Sequence, residues 1–460
     1  MKLYNSLTKK VEELDFEQGQ EVKIYSCGPT VYDHAHIGNL SSYIYADTLR
    51  RVLELNGYKV KHVMNYTDVD DKTIKRSLEK YPDLEPKEAL KKLTDEYIAL
   101  FQEDIKKVGI DVAKINFVRA TDHIEDMKKL ILKLLDKKIA YLADDGVYFS
   151  IEAYKKSGKT YGQLLKISDS NTSSARIDND EYDKDSVHDF ALWKKQKPGE
   201  PDWDFEINGQ NFIGRPGWHI ECSAMSEATL GIPFDIHTGG IDLIFPHHEN
   251  EIAQSTAAID GEVMARYFVH NNHLLVDGKK MAKSANNFYT LQDIIDKGYD
   301  PLAFRLLVLQ SHYRKESNFT WDSLESAQDL LRKIRVFGTL RHNIDESKAF
   351  SMNLEVALNK IYDDLNFPAA MPSVKGFAAS DSFRKEQINE FVKFMEDIFA
   401  IYIGALDINK VSNDIKDLVQ KRETAKTSKR FNEADKIRDD LNSQGIGITD
   451  TDSGPTLYRL

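Results

Sequence analysis

Residues 22–26 (Val-Lys-Ile-Tyr-Ser) form a short apolar run that reads as a buried strand, and Cys27-Gly28-Pro29 turns the chain. From Gly38 the apolar spacing becomes helical. Tyr45, Leu49, Val52 and Leu53 fall at i, i+4, i+7 and i+8, and Asn56-Gly57 ends the pattern. Residues 58–65 alternate as a second strand. Strand, helix, strand is one βαβ unit, which predicts a parallel α/β sheet. Residues 71–140 read as helix-rich and heavily charged. Residues 145–216 change to short strands among Gly, Pro, Asp and Ser, as an insertion into the sheet domain would. The α/β pattern resumes from 217, with a strand at 234–238, a helix at 246–259, and a strand and loop at 267–276. Residues 300–405 are predicted mostly helical, and 411–460 form a small tail.

At 460 residues, about 150 residues per domain predicts roughly three domains. Hydrophobic residues at 41% and charged residues at 30% describe a folded chain, not a disordered one. The net charge of −12 excludes a uniformly basic nucleic-acid coat but leaves room for a local basic patch. No apolar run reaches the roughly 18 residues of a membrane span. The charged N-terminal stretch does not read as a secretory signal. Two cysteines, Cys27 and Cys222, fit a reducing cytosol, so a cytoplasmic protein is expected. On paper the pair is open to a disulfide or to a shared metal.

Three strings carry chemistry. The first is Pro29-Thr30-Val31-Tyr32-Asp33-His34-Ala35-His36-Ile37-Gly38-Asn39, between the first strand and the helix. A helix N-terminus there offers free N–H groups to an anion, with imidazoles as added donors, and Gly38 admits a close backbone approach. Ordinary loop histidines would give the same string. The second is Lys280-Met281-Ala282-Lys283-Ser284, a lysine loop suited to phosphates or simply a solvated basic turn. The third joins Cys27, Cys222 and the stretch Phe245-Pro246-His247-His248-Glu249-Asn250-Glu251. His247 and Glu251 at i, i+4 share a helix face. Two thiolates, an imidazole and a carboxylate suit Zn²⁺. Two buried unreactive cysteines and a helix-capping His-Glu pair are the plainer alternative. The spacing is not that of the His-Glu-x-x-His proteases.

Taken together, His36-Ile37-Gly38-Asn39 and Lys280 to Ser284 resemble the paired signatures of class I aminoacyl-tRNA synthetases. Further stretches make the resemblance specific to the cysteinyl-tRNA synthetase family. They are Asn65 to Lys72, Asp189 to Lys194, Gly214 to Met225, Phe245 to Ser255, His312-Tyr313-Arg314 and Ala434 to Asp439. The resemblance implies a Rossmann-type catalytic domain split over 1–125 and 201–300, with a connective insertion at 126–200. A stem-contact region at 301–345, a helical bundle at 346–405 and an anticodon-binding domain at 411–460 follow. It implies one Zn²⁺ on Cys27, Cys222, His247 and Glu251, which also takes the substrate thiolate. Thr67, Trp218, His237 and Asp242 would line the amino-acid pocket. His36, Gly38 and Asn39 would hold ATP, which brings Mg²⁺, and Lys280 and Lys283 would meet the pyrophosphate. The activity implied is ATP-dependent formation of cysteinyl-adenylate and its transfer to the terminal ribose of tRNA(Cys), by a monomer that needs no membrane.

The physics favours metal selection. Serine differs from cysteine by one atom, which shape alone separates poorly. Zinc lowers the thiol pKa and couples binding to deprotonation. Four protein ligands normally make a closed site, so zinc must gain a fifth ligand or loosen Glu251. Asn39 stands where the family has histidine, and Ala282 where it has serine; His34 adds an imidazole beside the site. Between Lys416 and Arg438 eight basic residues face four acidic ones, with Phe431, Tyr458 and Arg459 as candidates to stack on anticodon bases. Leu457-Tyr458-Arg459 replaces the family's Trp-Arg ending. Two other readings share these motifs: a ligase passing activated cysteine to a non-tRNA acceptor, and a non-catalytic RNA-binding homologue.

Overall fold

The computed structural model describes residues 1–165, 172–177, 187–259, 261–281, 287–339, 354–379, 385–403, 411–451 and 454–459. Five parallel strands make the central sheet, in the order Ala265–Asn271, Phe234–Gly240, Glu21–Ser26, Lys59–Tyr66, Ile115–Arg119. Both faces are buried, as the βαβ pattern requires. Ile24, Met64, Ile236 and Val269 enter one core, and Tyr25, Val63, Phe234 and Phe268 enter the other. The order reverses between the 21–26 and 234–240 strands. The crevice at their carboxyl ends is where open α/β sheets bind ligands.

Helix α1 (Ile37–Leu55) leaves that crevice and runs back along the sheet. Its start is set by a reciprocal cap. The His36 Nδ1 accepts from the Asn39 N–H at 3.1 Å, and the Asn39 Oδ1 accepts from the His36 N–H at 3.3 Å. Helices α2 (Asp71–Lys80) and α3 (Pro86–Lys107) follow the second strand. The cap of α2 is again reciprocal, between Asp70 and Thr73.

A second, antiparallel sheet runs Gly214–Pro216, Val187–Lys195, Gly146–Phe149, Ala140–Ala143, with Thr172–Ile177 beside the 187–195 strand. It occupies 140–216, close to the 145–216 stretch of short strands in the sequence, and does not include residues 126–139. Helix α4 (Ile124–Asp136) packs on Trp218–Leu230 and Glu249–Ala258 instead, through Met127, Leu130, Ile131 and Leu134. Asp71, the first residue of α2, ties that helix to the second sheet: it accepts from the Lys194 ammonium at 3.1 Å and pairs with the buried Arg215.

Helix Trp321–Thr339 packs against Phe367–Ala378, Lys385–Asp397 and the tail strand Gly454–Arg459. A buried charge cluster joins these helices to α1. Asp47 accepts from Arg50 at 2.6 Å, Arg51 at 2.8 Å and Arg305 at 2.7 Å. The spare donors of Arg51 and Arg305 go to carbonyls at Val108, Gly109, Glu396, Asp397 and Phe399, where helices end and carbonyls lack intrahelical partners. In the tail, Asn413–Thr427 and Phe431–Ser443 pack on a hairpin of Ile446–Thr451 and Gly454–Arg459.

Tyr458 is 5% exposed and covers Gly447, where a Cβ would collide with its ring. It is thus a buried packing residue, outside the tail's own apolar cluster, and not a base-stacking one. Phe431 is 61% exposed and keeps the role expected of it open.

Candidate active site and metal centre

Cys27 directly follows the strand Glu21–Ser26, Cys222 lies in the second turn of Trp218–Leu230, and His247 and Glu251 flank the start of Glu249–Ala258. The fold draws them together at the sheet crevice. One ligand atom from each of Cys27, Cys222, His247 and Glu251 fits within 4.8 Å of all the others. The two sulfurs are 3.9 Å apart, too long for a disulfide, and both cysteines are free. His247 Nε2 stands 3.0 Å from Glu251 Oε1. Burial pushes the Cys27 thiol up, and Cys222 and Glu251 beside it add to the effect. Burial pulls His247 down to about 3, so its imidazole is neutral at pH 7, the form that ligates a metal. A cation at this point removes the penalty on the thiolate. Sulfur, nitrogen and carboxylate donors in this set fit zinc.

The cluster has a second layer that the sequence reading missed. One ligand atom from each of Cys27, His237, His248 and Glu251 likewise lies within 4.8 Å of the others. His248 Nε2 lies 3.3 Å from the Cys27 sulfur, and its Nδ1 lies 2.7 Å from His270, which meets Ser6 at 2.8 Å. His219 Nδ1 is 2.9 Å from His247 Nδ1 and so fixes the ring opposite to its Glu251 side. The adjacent His247-His248 pair held the signal, since His248 and Glu251 are i, i+3 and share a helix face.

A cavity of about 190 Å³ adjoins the cluster. Cys27, Cys222 and His247 line it together with Thr67, Trp218, Asp242 and Asn39. The Trp218 ring stacks on His247 at 4.3 Å. Asn65 shapes the floor, accepting from the Gly28 N–H at 2.9 Å and donating to Thr67 Oγ1 at 3.1 Å. Gly28 is obligatory, because a Cβ there would overlap the Asn65 carbonyl.

His237 departs from expectation. It is fully buried behind the cavity, with Nε2 2.8 Å from Glu251 Oε2. It braces a candidate ligand and does not line the pocket.

A neighbouring pocket is lined by His36, Gly38, Asn39, Asp242, Asn271 and Lys280. Met281 packs over Gly38 so closely that a Cβ would strike it. The cap explains Asn39: it closes the α1 cap with His36 while lining both pockets and the wider cleft beside them. His34 is exposed and lines a wider cleft with Tyr97, Lys72 and Lys75. Ala282, Lys283 and Ser284 lie outside the described residues.

A family model described as the class I (C) tRNA synthetase catalytic domain matches residues 13–329. The fold is similar to that of Mycobacterium tuberculosis methionyl-tRNA synthetase bound by methionyl-adenylate. That likeness has a TM-score of 0.59 at 12% identity and covers 83% of this chain and 92% of that one. Fold and site define the catalytic unit of a class I aminoacyl-tRNA synthetase. Two similar curated proteins narrow the class. Cysteine–tRNA ligase of Brachyspira hyodysenteriae is 43% identical over 99% of this chain and 98% of its own length. Cysteine–tRNA ligase of Chlamydia felis is 40% identical over 100% and 98%. The chain belongs to the cysteine–tRNA ligase family.

Proposed function

We propose that the chain activates L-cysteine with ATP and transfers it to the 3′-terminal ribose of tRNA(Cys). The observation that carries this reading is the set Cys27, Cys222, His247 and Glu251 on the wall of a cavity that also holds Asp242 and Asn39. Those four side chains would hold one zinc ion. When bound, zinc supplies a Lewis acid that favours a thiolate over an alcohol.

The protein's own groups do the rest. Asp242 faces the substrate ammonium, and Trp218 keeps the His247 ring in plane. His237 gives the Glu251 carboxylate a second partner, so Glu251 can turn from the metal side without being stranded in a buried site. The N-terminus of α1, whose cap carries His36 and Asn39, presents partial positive charge to the ATP phosphates, which arrive with Mg²⁺. Lys280, with Lys283 from the same loop, neutralises the departing pyrophosphate. The in-line attack of the cysteine carboxylate on the α-phosphorus is thus served by positioning and charge. Tail residues around Phe431 take the RNA. The protein acts as a cytoplasmic monomer. Among the described residues no helix is long and apolar enough to cross a membrane.

The test is ATP-dependent attachment of labelled cysteine to deacylated total tRNA, with serine as control. Charging by cysteine and not serine is expected. Activation of cysteine, read by pyrophosphate exchange, without charging of any tRNA would overturn the acceptor.

A further inference from the structure

Tyr43 stands about two turns into α1, and its ring forms part of the wall of the 190 Å³ cavity. It is 6% exposed. Burial pushes its phenol up, and the Cys27 and Asp242 charges on the cavity, with Tyr66 behind, push the same way. The ring is thus a neutral wall facing both the sulfur-bearing cluster and the carboxylate.

That wall is backed in depth. Phe101 meets Tyr43 edge-on at 5.1 Å, Tyr66 meets Phe101 edge-on at 6.0 Å, and Phe117 lies flat on Tyr66 at 5.1 Å with 4° between the planes. The Tyr66 hydroxyl accepts from Gln102 at 3.0 Å, which pins the middle of the row. Close-packed aromatic rings in low-energy contacts do not yield to an extra methylene without strain.

We propose that Tyr43 is a specificity-determining residue whose ring sets the length of the thiol side chain admitted, one methylene between Cα and sulfur and not two. The proposal rests on the cavity being the amino-acid site. A substrate anchored at Asp242 by its ammonium and at the cysteine cluster by its sulfur has a fixed span. One more methylene adds about 1.5 Å of chain. It must then push into a ring that three others hold in place. A hydrophobic wall separates compounds that differ by a methylene by about 10- to 200-fold.

The experiment compares L-cysteine with its one-methylene-longer homologue, homocysteine, on the full-length protein. It measures pyrophosphate exchange and, separately, dissociation constants by calorimetry. Wild type is expected to prefer cysteine by at least about tenfold in kcat/KM. Tyr43→Phe keeps the ring and should keep that preference. Tyr43→Ala removes it and should narrow the preference about tenfold or more, with the ratio of dissociation constants moving the same way. Tyr43→Leu provides the same comparison should the alanine variant fail to fold. Equal losses for both amino acids in Tyr43→Ala or Tyr43→Leu, with an unchanged ratio, would overturn the proposal. So would collapse of the ratio in Tyr43→Phe, which would place selection in the hydroxyl. A wild-type protein that neither binds nor activates cysteine would instead overturn the function on which the proposal rests.

Discussion

The Tyr313 hydroxyl donates to Asp364 Oδ1 at 2.6 Å inside the protein. The same carboxylate accepts from the Arg314 guanidinium at 2.7 Å and from the Tyr4 N–H at 2.8 Å. Asp364 is 4% exposed and sits at φ 61°, outside any helix. It joins the first residues of the chain, the loop after Pro301–Leu309 and the helical bundle. Asp364→Ala leaves Arg314 and Tyr313 without their shared acceptor and should cost about 3 kcal/mol. Tyr313→Phe should cost about 1 kcal/mol, one net hydrogen bond. Urea unfolding of both variants checks the ranking, and equal midpoints would contradict it.

Metal content separates the two overlapping donor sets. Cys27 and Glu251 belong to both, whereas Cys222 and His247 belong to one and His237 and His248 to the other. The set with two sulfurs is the softer and better match to zinc. Elemental analysis of purified protein should find about one zinc per chain, lost in Cys222→Ser together with cysteine activation. His248→Gln should retain the metal. Retention in Cys222→Ser with loss in His248→Gln would assign the ion to the other set.

Acid sensitivity should begin well above the carboxylate range. Burial holds His62 at about 3, below the ordinary 6.5 of an unfolded histidine, with its Nε2 2.8 Å from Ser26. Between those two values the unfolded chain binds the extra proton, so stability rises with pH across the window and is lost as pH falls below about 6.5. The slope from one such group is about 1.4 kcal/mol per pH unit. His62→Gln should flatten the acid limb of stability against pH by that amount. An unchanged limb would mean that His62 takes up its proton within the fold.

The two aromatic residues of the tail should behave oppositely. Phe431→Ala removes a ring that is already in solvent, so its melting temperature should stay close to wild type. Its tRNA charging should fall about fivefold or more, the worth of one stacked base. Tyr458→Ala empties a packed position over Gly447 and should destabilise the tail by about 3 kcal/mol. Loss of charging without loss of stability in Tyr458→Ala would return that ring to the RNA surface.

Local signals were strong where one element carried its own pattern. The 21–26 strand, α1 and its stop at Asn56-Gly57 follow from periodicity and turn chemistry within a few residues. The candidate quartet Cys27, Cys222, His247 and Glu251 is legible because each is a rare or clustered residue. What stayed hidden depends on partners far along the chain. Whether His237 faces the cavity or Glu251 is decided by how two strands and a helix meet. Tyr458 looks the same in sequence as a core ring or a stacking ring, and only the hairpin places it over Gly447. The end of the inserted sheet at 216 shows in the change of composition, but the pairing of Gly214–Pro216 back onto Val187–Lys195 is a register that no local run displays.

The strand order of the central sheet carries a cost during synthesis. Strand Glu21–Ser26 is made first but lies in the middle, and one of its edges is closed only by Phe234–Gly240. A ribosome that has released the first half of the chain has therefore exposed an unpaired apolar strand edge and half of two cores. Such an edge invites pairing with other chains. That edge stays open until the 234–240 strand emerges, and the sheet is complete only once residues up to 271 have followed.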